Sequence, residues 1–197
     1  MGIEIVTAAT TAALTVAEVK THLRISQTDD EEDDYIETLI EAATDCFEIH
    51  TNRQLITATW AYTMSEFPAS DSGYISLPYP PLQSISSITY YDTAGDSQTF
   101  SSDYYQVDTT VEPGRVYLEP TYTWPNTEVD RRNAVTVTFK AGYGDARSNV
   151  PRQLRHGLLL LIGHWYENRE GSVVGVTVNE LPMAVQMIIS NYAVLEI

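Results

Sequence analysis

The apolar residues of this 197-residue chain change their spacing twice. From Val16 to Phe47 they recur at three- and four-residue intervals, the period of a helix face laid on a core. From Ile56 to Phe139 they alternate with polar residues, the period of half-buried strands. From Leu154 to Ile189 the helical spacing returns. Each period has to bury its own apolar side, so the order predicts an α+β fold: a helical bundle from the N- and C-terminal helices with a central antiparallel β-rich insertion. The expected divisions are an N-terminal helical part over 1–54, a β-rich insertion over 55–141 and a C-terminal helical part over 142–197, together one structural domain with an insertion. The sheet is expected to project from the bundle.

The punctuation agrees with the periods. Thr15-Val16-Ala17-Glu18 spells a capping box, with Leu14 and Val19 at the staple positions, and the helix it opens is expected to end near Arg24-Ile25. A second cap is read at Thr28-Asp29-Asp30-Glu31. The helix after it is expected to reach about His50, burying Ile36, Leu39, Ile40, Ala43, Phe47 and His50 on one stripe. The acidic run Asp29–Asp34 then falls on its first turns, where it complements the positive end of the macrodipole. A calcium loop is the sharper reading, but the alternation of acids and the central glycine it needs are missing, and an acidic surface facing DNA is a third reading.

In the middle, strands are expected over Ile56–Met64, Ile85–Tyr91, Tyr104–Val107, Val116–Leu118 and Val135–Phe139. Turns are read at Asp92–Asp96 and Glu112–Arg115, and Leu77–Leu82 as a stiff extended connector. Such short strands make a small antiparallel sheet or sandwich. Pro151 suits a first helical residue, and Leu154, Leu158, Leu161, Ile162 and Trp165 give the face of the helix that follows. Gly171–Gly175 reads as a flexible break, and Pro182 opens a last short helix.

Charge limits the partners. Eleven Lys and Arg against 27 Asp and Glu leave a net charge of −16. That balance opposes gripping nucleic acid by phosphate neutralisation or docking on anionic lipid. It is unevenly spread: −18 over residues 1–130, +5 over 131–169 and −3 over 170–197. The cationic stretch holds Arg131, Arg132, Lys140, Arg147, Arg152, Arg155 and Arg169. Separated poles pair either with other copies of the chain or within one fold, and the sequence leaves both open. One cysteine, Cys46, rules out an intrachain disulfide and fits a reducing site of folding. The start Met1–Val6 lacks the basic residues of a secretory signal, and the apolar run Leu158–Gly163 is too short to span a bilayer.

No constellation for catalysis, metal or cofactor is found. His22, His50, His156 and His164 form no ligand pair at helical spacing, and His164 beside Trp165 reads as a core or interface residue. Gly142-Tyr143-Gly144 is too short for a phosphate loop and reads as a turn whose glycines take positive φ. Cys46 is expected to be a buried, inert thiol. The 13 tyrosines and 3 tryptophans read as cross-strand packing or protein contact, with a sugar-binding face as the sharper alternative.

The stretch Leu14-Thr15-Val16-Ala17-Glu18-Val19-Lys20-Thr21-His22-Leu23-Arg24-Ile25, followed by acids and a second helix, resembles the N-terminal signature of phage head–tail connector proteins, the head-completion adaptors. Leu77–Ile85 with Tyr90-Tyr91-Asp92, Val135–Gly144 and His164–Glu170 resemble the branch of that family with a β-rich insertion, which includes adaptors of gene transfer agents. The resemblance implies a homo-oligomeric ring, a dodecamer or close to it, in the virion neck. It implies a portal protein on one side and a stopper or tail-completion protein on the other. DNA passes through the lumen without specific binding, and there is no cofactor, membrane partner or catalysis. The interface residues expected are Arg152, Arg155, Trp165, Ile188, Ile189, Tyr192, Leu195 and Ile197. Ile188 and Ile189 also read as bundle packing, whereas Tyr192, Leu195 and Ile197 fit an anchor that orders on a partner. The alternatives are another neck, tail-completion or baseplate protein, and a carbohydrate-binding module or hydrolase.

Overall fold

The computed structural model describes residues 1–68, 73–169 and 181–194. The fold is α+β, with four α-helices and two antiparallel sheets among the described residues. Its contacts divide it into two compact units, Met1–Thr10 with Thr57–Tyr143 and Thr11–Ile56 with Gly144–Leu195.

The first unit is all β. A five-stranded sheet runs in the order β1 (Gly2–Thr7), β2 (Ala58–Met64), β8 (Val135–Ala141), β4 (Leu82–Tyr91), β5 (Ser97–Phe100). A three-stranded sheet runs β3 (Tyr74–Leu77), β7 (Gly114–Leu118), β6 (Tyr105–Asp108). The central strand β8 shows why the alternation matters: Val135, Val137 and Phe139 are buried, while Thr136, Thr138 and Lys140 are not. Phe139 sits opposite Trp60 of β2 and Ile85 of β4. One apolar cluster joins Ile88, Val135, Val137 and Phe139 of the larger sheet to Ile75, Leu77 and Val116 of the smaller, which makes the unit a small sandwich. The turn after β4 forms as expected: Asp92 Oδ1 accepts from the amides of Ala94 and Asp96, and Gly95 takes φ +85°.

The second unit is a helical bundle of α1 (Val16–Leu23), α2 (Asp33–Thr51), α3 (Arg152–Glu167) and α4 (Met183–Tyr192). The capping box is formed: the Glu18 amide donates to Thr15 Oγ1 at 3.1 Å, and the Thr15 amide donates to Glu18 Oε2 at 2.8 Å. Helix α1 closes on Arg24 in the left-handed region (φ +61°), with the Ile25 amide bonded to the Lys20 carbonyl. Val19, Ile36, Ala43, Phe47, Leu154, Leu158, Leu161, Ile162 and Val185 are fully buried and form the bundle interior.

Several expectations are corrected. Helix α2 begins at Asp33, not after a cap at Thr28, and its N-cap Glu32 makes no side-chain cap bond. Thr28 instead bonds Ser26, so the local hydroxyl and Asx contacts hold residues 26–31 in turns. Of the acidic run, only Asp33 and Asp34 lie in the first helical turn. His50 is exposed, because Thr51 takes the buried place at the end of the stripe. Cys46 is half-buried, with burial raising its thiol pKa. Strands β1, β3 and β5 were not expected, and β3 and the early start of β4 together shorten the Leu77–Leu82 connector to residues 78–81. Pro151 is the N-cap of α3 and not its first residue. The break read at Gly171–Gly175 lies outside the described residues.

Candidate protein-interaction surface

The charged residues of the helical unit fall into three arrangements. The first is internal. Arg169 Nη2 reaches Glu32 Oε1 at 2.5 Å, the Tyr166 hydroxyl donates to the other oxygen of the same carboxylate, and the guanidinium lies 4.6 Å from the Tyr35 ring and 4.8 Å from the Tyr166 ring. The bonds from Tyr166 and Arg169 hold the Glu32 carboxyl below the usual carboxylate range. This cluster ties the end of α3 to the start of α2. Lys20, almost wholly buried, is paired with Asp33.

The second arrangement is a notch of about 440 Å³ between α1 and the start of α3. Leu14 and Leu159 give it apolar lining, and Arg152, Arg155, His22 and His156 line it with Glu18 and Thr21. Among the described residues Glu18 is the one acid there, and Arg147 and Arg155 each approach it to 3.7 Å. Arg152 is exposed and has no acidic partner among the described residues.

The third is a row of acids. Asp34, Glu37, Glu41 and Asp45 are exposed on α2 and recur at three- and four-residue intervals, on one face. None is ion-paired among the described residues. Like charges four apart weaken a helix by about 0.2–0.5 kcal/mol per pair, so the row is not explained by the helix's own stability. Ile49, one turn past Asp45, is 71% exposed.

The two poles of the sequence are therefore partly joined within one fold. Arg131 pairs with Glu128 at 2.8 Å and stacks on Tyr91, Arg147 and Arg155 face Glu18, and Arg169 holds Glu32. Arg132, Lys140 and Arg152 have no acidic partner among the described residues.

The structure brings Arg152 and Arg155 to one notch and places Trp165, Ile188, Ile189 and Tyr192 elsewhere. Trp165 is half-buried on α3. Ile189 is buried and Ile188 half-buried in the bundle. Tyr192 is held where α4 ends: Arg53 Nε donates to its carbonyl at 2.6 Å, and its hydroxyl bonds Gln153 at 3.3 Å. The next turn of chain is tied to the end of α2, where the Val194 amide donates to the Thr51 carbonyl and Asn52 Nδ2 donates to the Val194 carbonyl, both at 2.9 Å. Leu195 and Ile197 lie outside the described residues. Sequence reasoning missed the roles of Leu14, His22, His156 and Leu159 in the notch. It also missed two exposed methionines of α4, Met183 and Met187, four residues apart on one face.

In the β unit, Tyr74 and Tyr117 meet at a tilted angle across paired strands, with centroids 5.4 Å apart, and Phe67 stacks on Trp124 at 4.8 Å. Cross-strand and core packing thus account for these rings. A cleft of about 570 Å³ runs beside Phe67, Tyr122 and Trp124. Among the described residues no group of three His, Cys, Asp or Glu is placed to hold a metal ion, and no helix is long and apolar enough to cross a membrane.

The sequence profile of the head completion protein family matches residues 12–195. The chain belongs to the head completion protein family, the family its motifs resemble. No curated protein matches it. Among solved structures, a chain in the neck of an empty gene transfer agent particle, with C6 symmetry, superposes with a TM-score of 0.81 at 23% identity, covering 100% of this chain and 97% of that one. A chain of the virion of a native gene transfer agent particle gives a TM-score of 0.81 at 22% identity, again over 100% and 97%. One from the neck of a native particle with C12 symmetry gives 0.78 at 22%, over the same shares. The whole fold, sandwich and bundle together, is thus shared with these chains.

Proposed function

We propose that the protein is a head–tail connector subunit, a structural adaptor that assembles with copies of itself into a ring in the neck of a virion. The observation that carries this reading is the family match over residues 12–195. The full-length likeness to chains from particle necks with six- and twelve-fold symmetry supports a cyclic assembly of about a dozen copies. In this reading the ring sits between a portal protein and a stopper or tail-completion protein, and DNA passes through its lumen. A net charge of −16 suits that passage, because a lumen that bound phosphates would hold the polyanion it must release. The subunit works without catalysis or cofactor, and its surfaces serve to meet other proteins.

The contact residues belong to the same proposal. Arg152 and Arg155 meet a neighbouring subunit. Trp165 belongs to a protein contact as well, Ile188 and Ile189 serve a contact or pack the bundle behind it, and Tyr192, Leu195 and Ile197 lead the chain toward the portal. Native mass spectrometry of the protein, alone and mixed with its portal, tests the reading: rings are expected, and a protein that stays monomeric in both conditions overturns it.

A further inference from the structure

We infer that the notch beside the start of α3 receives the acidic face of α2 from a second copy of this chain. The inference rests on the connector reading for the statement that copies meet; it adds which surfaces do so. Two copies of a chain with net charge −16 repel over most of their surface. Electrostatic attraction between copies needs a locally cationic place on one and an acidic place on the other.

The notch is such a place. Among the described residues Arg152 is exposed and unpaired, and the one carboxylate lining the notch, on Glu18, is engaged by Arg147, Arg155 and the capping box. Between these charges the lining is apolar, from Leu14 and Leu159. The acidic row of α2 answers both features. Its carboxylates lack cations among the described residues, and the row ends at Ile49, an exposed apolar side chain suited to an apolar floor. Charge and apolarity thus match in one docking. The two surfaces differ, so the contact is heterologous, the kind that builds a ring from one repeated interface when the rotation between copies closes.

The test uses Arg152→Glu and Glu41→Arg in the full chain, with ring formation read by native mass spectrometry and electron microscopy. Glutamate in the first turn of α3 favours that helix, and Glu41 is exposed, so both variants are expected to keep the wild-type circular dichroism and melting temperature. Each variant alone is expected to lose at least about tenfold in apparent assembly affinity, a typical scale for one interfacial charge reversal. Mixed in equal amounts they are expected to form alternating rings. In such a ring the reversed notch of one variant meets the reversed α2 face of the other, so opposite charges face each other again, and the remaining contacts are native. Arg152→Glu rings equal to the wild type, or a mixture that fails where the wild type assembles, would overturn the docking and leave the connector reading standing. A wild-type chain that forms no ring, alone or with portal, overturns the connector reading and this docking with it.

Discussion

Tyr166 and Glu32, 134 residues apart in the sequence, share a hydrogen bond that fixes the last turn of α3 against the entry of α2. Arg169 closes on the same carboxylate, so three side chains act as one clamp. Tyr166→Phe and Arg169→Leu are each expected to lower the melting temperature, and the double variant to lose less than the sum, because both act through Glu32. Glu32 titrates below its ordinary range in the folded chain, so its contribution is present above the unfolded pKa and disappears as the pH falls through the folded one. Thermal melts across the acid range are expected to converge for wild type and Glu32→Gln at the low end.

Glu48 has the opposite sign. Burial pushes its carboxyl up to about 7, partly opposed by the Leu55 amide, which donates to Oε1 at 2.8 Å. A carboxyl raised on folding gives stability that is complete below its unfolded pKa and is lost as the pH rises through 7. Glu48→Gln keeps an oxygen for Leu55 and removes the ionisation. At pH 8 the variant is expected to be more stable by about 1–3 kcal/mol, with most of that advantage gone at pH 5. Urea unfolding at the two pH values measures it.

Two glycines of α3 predict opposite outcomes. A Cβ on Gly157 would lie 2.7 Å from the Phe47 ring and 3.3 Å from Ile188, whereas one on Gly163 would meet nothing closer than His22 at 3.4 Å. Gly157→Ala is expected to cost about 1–3 kcal/mol through overpacking, despite its better helix propensity. Gly163→Ala is expected to gain up to about 1 kcal/mol. Denaturant melts of the pair separate packing from propensity.

Lys20 is held almost out of water by Asp33, whose side chain is 36% exposed. Asp33→Ala leaves a buried ammonium without its carboxylate and is expected to cost about 2 kcal/mol, below the fully buried range because the lost partner is partly solvated. Lys20→Met with Asp33→Ala is expected to recover most of that loss, which a chemical-denaturation cycle would show.

The parts of the fold that were legible are those whose signal is local. The Thr15–Glu18 box, the Ile36–Phe47 stripe and the Val135–Phe139 alternation each carry their own evidence within a few residues. Strand β1 carries none: all six residues are exposed, and only pairing with distant β2 makes it a strand. Strand β5 is short and mostly polar, so it is visible only through its register with β4. The start of α2 was misplaced because the Thr28 motif satisfies itself locally, while Glu32 is drawn to Tyr166 and Arg169. The notch divides in the same way. Arg152 and Arg155 stood out by charge, but Leu14 and His22 join them only when α1 meets α3.

In the proposed connector role, this chain closes into a ring around a passage for DNA. Cryo-electron microscopy of the wild-type protein bound to its portal tests it most directly. The account predicts a ring of cyclic symmetry, as in the six- and twelve-fold necks that share this fold, with an open lumen poor in Lys and Arg. A bound monomer, or a lumen lined densely with cations, would contradict it.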